Sequence, residues 1–205
     1  MSIGFWLLTV AAVGAWGGAD IRTLRVSHTV AASSAAAFDA CLYGWRSGNF
    51  GLPIPLPIIR SRGAADSGEG LELIRVPPFL IERITISRRP AYLKYGVVNP
   101  GPLTYPVSRH SGMITFEELT PGEVTRITWD VEWTPLPWSA ALVSLMTEVI
   151  VRAASHYTAC RAANGAEPLS VQINLVTIPS KTGHGDALLG QAMKGKAKEQ
   201  IRPGS

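Results

Sequence analysis

The hydrophobic pattern is strongest in residues 123–161, where the spacing of a strand changes into the spacing of a helix. In residues 124–133 the apolar side chains recur at every second position, which gives one face to Ile127, Trp129, Val131 and Trp133. From residue 138 onward the spacing becomes four and three, which defines a stripe of Leu142, Met146, Val149, Ala153, Tyr157 and Cys160. The pattern predicts a half-buried antiparallel strand and then a long amphipathic helix that buries this stripe and stops at the Asn-Gly pair of residues 164–165.

The beginning of the chain predicts one strand and two short helices. Residues 21–30 alternate, and one side of that strand carries Leu24, Val26, His28 and Val30. A helix at residues 35–42 follows serines that can cap it, and a second, shorter helix at residues 43–49 turns Trp45 inward. Residues 51–57 contain three prolines, so they are expected to form an extended rim or lid and not an interior strand.

The middle of the chain predicts further strands. Short apolar runs separated by proline or glycine turns occupy residues 58–62, 71–76, 79–87, 92–99 and 108–119. The third and fourth runs form one hairpin, and the last run pairs with residues 124–133 in another. Strands do not alternate with helices, which argues against a parallel sheet. The predicted fold class is α+β, in which a curved antiparallel sheet of about seven strands surrounds a long C-terminal helix, with two short helices after the first strand.

Composition fits one domain with terminal extensions. Hydrophobic residues make up 46% of the 205 positions, which is ample for a core. The formal charge of +4 is mild, and no Lys/Arg cluster is interleaved with aromatic residues, so nucleic acid is not an expected partner. Cys41 and Cys160 lack metal-ligand spacing and are interpreted as small buried apolar residues, with a disulfide between them left open. The oligomeric state is also left open.

The two ends of the chain differ from the middle, so the domain is placed at residues 21–165. Residues 1–20 form an apolar segment, and residues 2–19 carry no charge. This segment is an export signal or membrane anchor, an apolar lead packed on the domain, or the result of a misplaced start codon. The first interpretation gives membrane contact and a membrane-associated or exported protein; otherwise the protein is cytoplasmic. Residues 166–205 form an extension with a loose or edge segment at 171–178 and a Gly/Lys-rich tail predicted to be disordered.

Three stretches carry a resemblance to a known superfamily. They are VSHTVAASSAAAFDAC at residues 26–41, FLIERITISRRPAYLKYGVVN at residues 79–99 and TRITWDVEWTP at residues 125–135. They resemble, in order, the opening strand with its first helix, the central hairpin, and the last strand of the START-like (SRPBCC, Bet v 1-like) superfamily. Within that superfamily the chain is most similar to the polyketide cyclase/dehydrase-type families, over residues 22–163.

This resemblance implies a helix-grip fold with a deep apolar cavity between the sheet and the long helix. Members of the superfamily bind or transfer lipids, sterols, quinones or polyketides, and some catalyse cyclisation, dehydration or isomerisation. The superfamily has no single catalytic triad, so no catalytic residue is carried over. Fold analogy alone does not decide the function.

Polar side chains on apolar strand faces are the candidates for chemistry. Glu82 is either an acid/base or ligand-orienting group, or it is held in a salt bridge by an arginine such as Arg75. Tyr95 offers a hydroxyl to a pocket, or it is a core tyrosine with its hydroxyl at the rim. His28 and His110 are general-base candidates or satisfied structural histidines.

Two functions follow from these residues. The first is a module that encloses a hydrophobic small molecule, described as lipid, quinone, sterol or polyketide-like. The alternative is a cyclase, dehydratase or isomerase-type enzyme, with Glu82 or His28 as acid/base and Tyr95 steadying the developing charge. No Gly-rich phosphate loop, HExxH or GxSxG motif is present, so neither a cofactor nor a metal is expected. The proposed ligand-lining residues are Trp129, Tyr95, His110, Ile84, Ile127, Leu142 and Met146.

Overall fold

The computed structural model describes residues 20–48, 58–75 and 80–179, with the backbone alone at Arg75. The apolar segment at residues 2–19, the proline-rich rim at residues 51–57 and the tail at residues 180–205 lie outside the described residues. The interpretations of these three segments therefore stay predictions.

The described part of the chain forms one eight-stranded antiparallel sheet and two helices. In chain order the elements are β1 (Ile21–Val30), α1 (Ser34–Ser47), β2 (Ile58–Arg62), β3 (Leu71–Arg75), β4 (Leu80–Arg88), β5 (Tyr92–Val97), β6 (Val107–Thr120), β7 (Val124–Pro135), a 3₁₀ turn (Pro137–Ser139), α2 (Ala140–Ala162) and β8 (Ser170–Ile178). The sheet order is β2-β3-β4-β5-β6-β7-β1-β8. The predicted helix-grip architecture, a curved sheet with a long C-terminal helix, is confirmed.

Strands β7 and β1 lie side by side and supply much of the buried face of the sheet. Their register places Val26 opposite Trp129 and His28 opposite Ile127. Residues directly opposite in an antiparallel pair point to the same side of the sheet. The two predicted faces therefore join into one surface, and its members are all buried: Leu24, Val26, His28, Val30, Ile127, Trp129, Val131 and Trp133.

A single 14-residue helix, α1, takes the place of the two short helices that the sequence predicted. The Ser33 hydroxyl accepts a hydrogen bond from the Ala36 amide at its start, and Gly48 ends it with a positive φ of 68°. No proline stands between these caps, and the one glycine, Gly44, is tolerated inside a helix, so the helix continues through residue 43. The prediction that Trp45 points inward is confirmed, and it shares the buried face with Phe38, Cys41 and Leu42.

The buried face of α2 is not the apolar stripe that the hydrophobic spacing predicted. The side chains against the sheet are small, and several carry hydroxyls: Val143, Ser144, Thr147, Val151, Ala154, Ser155, Thr158, Ala159 and Ala162. Leu142 and Val149 of the predicted stripe are exposed. The buried face is therefore turned by between one and two residue positions from the predicted one, which is about 150° around the helix axis.

Three hydrogen bonds between side chains set this orientation of α2. The indole Nε1 of Trp133 donates to the Ser144 hydroxyl at 3.3 Å. Two further hydroxyls of the helix, on Thr147 and Ser155, bond to the Tyr105 hydroxyl at 2.6 Å and to His28 Nε2 at 3.0 Å. Buried hydroxyls are costly unless they are hydrogen-bonded, so the face that has partners on the sheet is the face that turns inward.

Strand β8 extends the sheet past residue 165. It pairs with β1 along its whole length, from Ile21 opposite Ile178 to Thr29 opposite Ser170. It lies at the edge of the sheet, and each of its nine residues is exposed. The alternating run at residues 171–178 is thus an edge strand, held by backbone hydrogen bonds and covered on neither face by the described residues.

The orientation of α2 predicts a large loss of stability for one Val→Ala substitution on this helix and a small one for another. Val151 is 4% exposed and Val149 is 52% exposed. Val151→Ala is expected to lower the free energy of unfolding by about 1–3 kcal/mol, because it leaves a cavity in the core. Val149→Ala, as the matched control, is expected to change it by about 0.5 kcal/mol or less. Urea unfolding followed by circular dichroism measures both losses of stability. Equal losses would contradict this orientation of α2, and a larger loss for Val149→Ala would support the orientation predicted from the sequence.

Candidate functional site

A small void lies between the sheet and α2, and its volume is about 20 Å³. This is room for about one water molecule. The side chains around it come from α1, from four neighbouring strands, from the loop before β6 and from α2: Trp45, Leu80, Glu82, Tyr95, Tyr105, His110, Trp129, Thr147, Ile150, Val151 and Ala154. The interior is therefore nearly filled by the protein's own side chains.

Four consecutive strands each contribute one of the polar or aromatic groups at the void. Glu82 comes from β4, Tyr95 from β5, His110 from β6 and Trp129 from β7. All four occupy the inward positions of their strands, where period-two alternation would ordinarily place apolar residues. The sheet thus gathers residues that are far apart in sequence on neighbouring rows of its inner face.

The Tyr95 ring is the centre of an aromatic cluster. Its centroid lies 5.1 Å from the ring of Trp45 on α1 and 6.1 Å from the rings of Trp129 and His110. The rings of Tyr105 and His110 meet edge to face at 5.9 Å. These separations are those of favourable aromatic pairs, so the cluster holds the Tyr95 ring in place beside the void.

Burial shifts the pKa of the His110 imidazole and the pKa of the Tyr105 phenol, which both lie near Glu82. It lowers the pKa of His110, while the carboxylate of Glu82 works in the opposite direction. It raises the pKa of Tyr105 to about 12, against the effect of the hydrogen bond between the Tyr105 and Thr147 hydroxyls. At neutral pH the imidazole is therefore neutral and the phenol protonated, and the imidazole Nδ1 has no hydrogen-bond partner among the described residues. The site presents a carboxylate, a neutral ring nitrogen and a hydroxyl to the same small space.

The structure brings together four of the residues proposed from the sequence and separates the others from them. Glu82, Tyr95, His110 and Trp129 line the void. Ile84 and Ile127 are fully buried, but they are not among its lining residues. The two proposed on α2 are displaced by the rotation of the helix: Leu142 points away from the sheet with 60% of its surface exposed, and Met146 is half-buried. The assignment of Leu142 to the interior is thus corrected.

Sequence reasoning missed Trp45, Tyr105 and Thr147 as lining residues. Tyr105 lies in a proline-containing loop, and only a bridge to Pro100 and the fold of the strands bring it inward. Thr147 was missed because its helix was oriented by hydrophobicity. The only signal in the sequence for Thr147 is its hydroxyl, one position after Met146 of the predicted apolar stripe. The partner proposed for Glu82, the side chain of Arg75, lies outside the described residues, so that interpretation stays open.

His28 is held in the interface between β1 and α2 and does not line the void. Its Nε2 bonds to Ser155, its Nδ1 has no partner among the described residues, and its ring lies 6.1 Å from that of His156 on the outer side of α2. Burial, helped by the charge on His156, lowers the pKa of His28 to about 4. It is therefore a neutral structural contact at physiological pH.

The described residues include two cysteines and one group of side chains that could hold a metal ion. Cys41 and Cys160 are both free, and burial raises the pKa of the Cys41 thiol, which makes it unreactive. Ligand atoms of His156, Cys160 and Glu167 lie within 4.8 Å of one another on the surface. This set suits Zn²⁺ by ligand type, but two of its three members are exposed. The expected absence of a metal stays a prediction.

A surface groove of about 760 Å³ lies between α1 and the end of α2. Its lining includes Tyr43, Tyr157 and Arg161, and the Arg161 guanidinium stacks 3.5 Å from the centre of the Tyr43 ring. It lies apart from the void, and no buried titratable group faces it among its lining residues. We therefore place the candidate site in the interior and not in this groove.

Comparison with solved structures identifies the architecture. The norcoclaurine synthase of Thalictrum flavum, in complex with dopamine and hydroxybenzaldehyde, has a TM-score of 0.54 at 17% identity, covering 80% of this chain and 99% of that chain. The Zhui aromatase/cyclase from Streptomyces sp. R1128 has a TM-score of 0.54 at 16% identity over 69% and 93%. Ara h 8.0201 gives 0.51 at 13% over 70% and 99%. No protein-family model and no curated protein matches the chain. At these identities the likeness shows the fold alone.

The packing of Tyr95 predicts that Gly112 cannot carry a side chain. Gly112 lies directly opposite Tyr95 on the neighbouring strand, and a Cβ there would overlap the tyrosine ring. Gly112→Ala is expected to lower the free energy of unfolding by about 1–3 kcal/mol through overpacking. Adding Tyr95→Leu should recover part of the loss, because it removes the overlapping atoms. Gly96→Ala, whose Cβ meets only the His110 carbonyl at 3.3 Å, is the control. Simple additivity of the first two substitutions in urea unfolding would refute this packing.

The low pKa of His28 predicts an acid-sensitive fold. The unfolded chain binds a proton at His28 below the ordinary value near 6.5, whereas the folded chain binds it only near 4. The free energy of unfolding is therefore expected to fall as the pH drops from 6.5 to 4. The free energy of unfolding is measured by urea unfolding at several pH values. In His28→Gln it should depend much less on pH between 6.5 and 4, whereas in His156→Gln, at an exposed position, most of the pH dependence should remain. An undiminished slope in His28→Gln would mean that this histidine does not carry the effect.

Proposed function

This chain has the START-like (SRPBCC, Bet v 1-like) helix-grip fold, and on that premise we propose that it binds a small hydrophobic molecule between its sheet and helix α2. The observation that carries the proposal is the meeting of Glu82, His110 and Tyr105 with aromatic rings around one interior void. Apolar walls with a few convergent polar groups are the usual composition of a small-molecule site.

The fold does not require these polar groups in its interior. A carboxylate and an imidazole on the inner face of a sheet are unfavourable in a purely structural core. Inward positions on the same strands, such as Ile84 and Ile114, carry the apolar side chains expected there. Positions at which a sequence departs from its own pattern are commonly functional. A ligand with a hydroxyl or carbonyl would supply a hydrogen-bond partner for His110 Nδ1.

The size of the void requires the site to open before a ligand enters. Small-molecule pockets are about 300–1,000 Å³, whereas the void is about 20 Å³. The helix over it is suited to moving outward, because its inner face is built from small residues such as Ser144, Thr147 and Ala154. Exposing small side chains loses little apolar burial, and a hydroxyl released from the sheet can bond to water at a modest net cost.

The solved neighbours support this class of ligand. The norcoclaurine synthase is seen with dopamine and hydroxybenzaldehyde bound, and another neighbour is an aromatase/cyclase. For this chain we propose a lipid, quinone, sterol or polyketide-like molecule that carries at least one polar group.

A second candidate function is acid/base catalysis on the same ligand. The observation that favours it is the shared void of Glu82, neutral His110 and Tyr95, where proton acceptors and a hydroxyl face one space. In this arrangement His110, and not His28, is the histidine that would act with Glu82. Tyr95 would steady the developing charge.

The first experiment is native mass spectrometry of the full chain for a co-purifying molecule, followed by tryptophan-fluorescence titration with hydroxybenzaldehyde, a fatty acid and a short-chain quinone. Trp45 and Trp129 line the void and report its occupation. Glu82→Gln, which keeps the size of the side chain, is expected to weaken binding at least tenfold in a variant that stays folded, as judged by its melting temperature. Glu117→Gln, a mainly exposed carboxylate on β6, is the matched control and should stay within twofold.

A filling substitution tests the location independently. Ala154→Leu projects into the void and should abolish binding, whereas Ala153→Leu, one position away on a half-buried flank of α2, should not. Equal effects of the two would place the ligand elsewhere. If Glu82→Gln abolishes turnover of an identified ligand and leaves binding intact, the catalytic function is supported; loss of folding in that variant would mark Glu82 as structural.

A further inference from the structure

The C-terminal end of α2 and the loop after it bring three side chains of different ligand chemistry together. His156 and Cys160 are four positions apart on α2, and Glu167 lies in the loop before β8. One ligand atom from each lies within 4.8 Å of the other two. These three residues, here called the helix-end cluster, offer the nitrogen, sulfur and oxygen ligands that Zn²⁺ takes in proteins.

The distances within the helix-end cluster are close to those between ligands of one tetrahedral metal ion. With the usual zinc bond lengths, a sulfur and a nitrogen ligand are roughly 3.5 Å apart, and a nitrogen and an oxygen ligand roughly 3.4 Å. Cys160 Sγ lies 3.5 Å from His156 Nε2, and Glu167 Oε2 lies 3.9 Å from the same nitrogen. A movement of about half an ångström by the exposed carboxylate would therefore bring these separations to tetrahedral values.

The helix and the strand beneath it hold the first two ligands in place. Residues four apart lie on the same face of a helix, and this is the spacing at which pairs of helical histidines bind zinc. The His156 ring lies 6.1 Å from the ring of buried His28, which is bonded to Ser155. This is an ordinary separation for packed rings, so the contact restricts the orientation of the His156 ring.

The reversal of the chain after α2 brings the third ligand back to the helix. The Gly165 amide donates to the Cys160 carbonyl at 2.7 Å, which is the six-to-one hydrogen bond of a Schellman helix end. Further along the loop, the Leu169 amide donates to the Thr29 carbonyl of β1, also at 2.7 Å. Glu167 lies between these two backbone anchors, so the loop keeps its carboxylate beside the last turns of the helix.

The arginines on this part of α2 are engaged elsewhere and leave the cluster open to a cation. Arg152 pairs with Glu148, and the Arg161 guanidinium lies over an aromatic ring of α1. Among the described residues, the salt-bridge partner of Glu167 is His156, at 3.9 Å. The side chains of this pair are 80% and 51% exposed, so an ion from solvent can reach both of them.

We propose that His156, Cys160 and Glu167 bind one Zn²⁺ ion, with water in the fourth coordination position. The thiol gives its proton to solvent, and the sulfur binds as the thiolate. The bound ion joins the end of α2 to the loop that leads into β8, and so it braces the edge strand independently of the interior void. Sequence motifs predicted no metal because Glu167 is seven positions beyond Cys160, and only the chain reversal places the two together.

The test is a titration of the full chain, reduced and free of metal, with Co²⁺ and then with Zn²⁺. Cobalt on a thiolate in a tetrahedral site gives near-ultraviolet charge-transfer absorption and intense visible bands, and zinc removes both by displacing it. Cys160→Ser should abolish the charge-transfer band. His156→Gln and Glu167→Gln should each weaken zinc binding roughly tenfold or more. Their matched controls are His184→Gln, in the tail, and Glu148→Gln, on the same helix but outside the cluster, and both should bind as the native chain does.

Three results would overturn the proposal. Cobalt spectra without charge-transfer absorption would exclude Cys160 as a ligand. A loss of affinity in His184→Gln as large as that in His156→Gln would place the metal on the tail. Unchanged affinity in Glu167→Gln would reduce the site to adventitious binding by the helix pair. Melting temperatures without metal show that each variant is folded, and zinc should raise the melting temperature of the native chain but not that of Cys160→Ser.

Discussion

Hydroxyl groups hold helix α2 against the sheet, and the rest of the structure follows from the face that they select. Ser144, Thr147 and Ser155 bond to Trp133, to Tyr105 and to His28. The bonds join the helix to β7, to the loop before β6 and to β1, so together they fix both its rotation and its position along the strands. Turning the outer face of the helix inward would bury Leu142, Leu145 and Val149 but leave these buried partners unsatisfied, and an unsatisfied buried polar group costs free energy.

This choice of face gives the two sides of α2 different properties. The inner side is small and polar, and it closes a void at which Glu82, Tyr95 and His110 meet. The outer side is apolar over its first half. The same helix therefore closes the candidate site and presents apolar side chains outward, although different residues form the two sides.

Much of the fold was predictable because local patterns decided it. Alternation in β1 and β7 predicted which side chains are buried, and the turns between the hairpins were marked by proline and glycine. The sequence predicted two short helices where the structure has the single helix α1, because nothing in the local sequence distinguishes one continuing helix from two short ones. Of the candidate site, Glu82, Tyr95, His110 and Trp129 were predicted, since strand parity assigns each of them to the inner face.

The sequence by itself determined the α+β class, the antiparallel order, the strand faces and the resemblance to the START-like superfamily. It could not determine the rotation of α2, because hydrophobic spacing assumes that the apolar side of a helix is buried. The partners that reverse this lie 11, 42 and 127 positions away from the helix residues they bind. Only the folded sheet brings those partners beneath the helix, so tertiary structure alone decided which side of α2 meets the site and which faces outward.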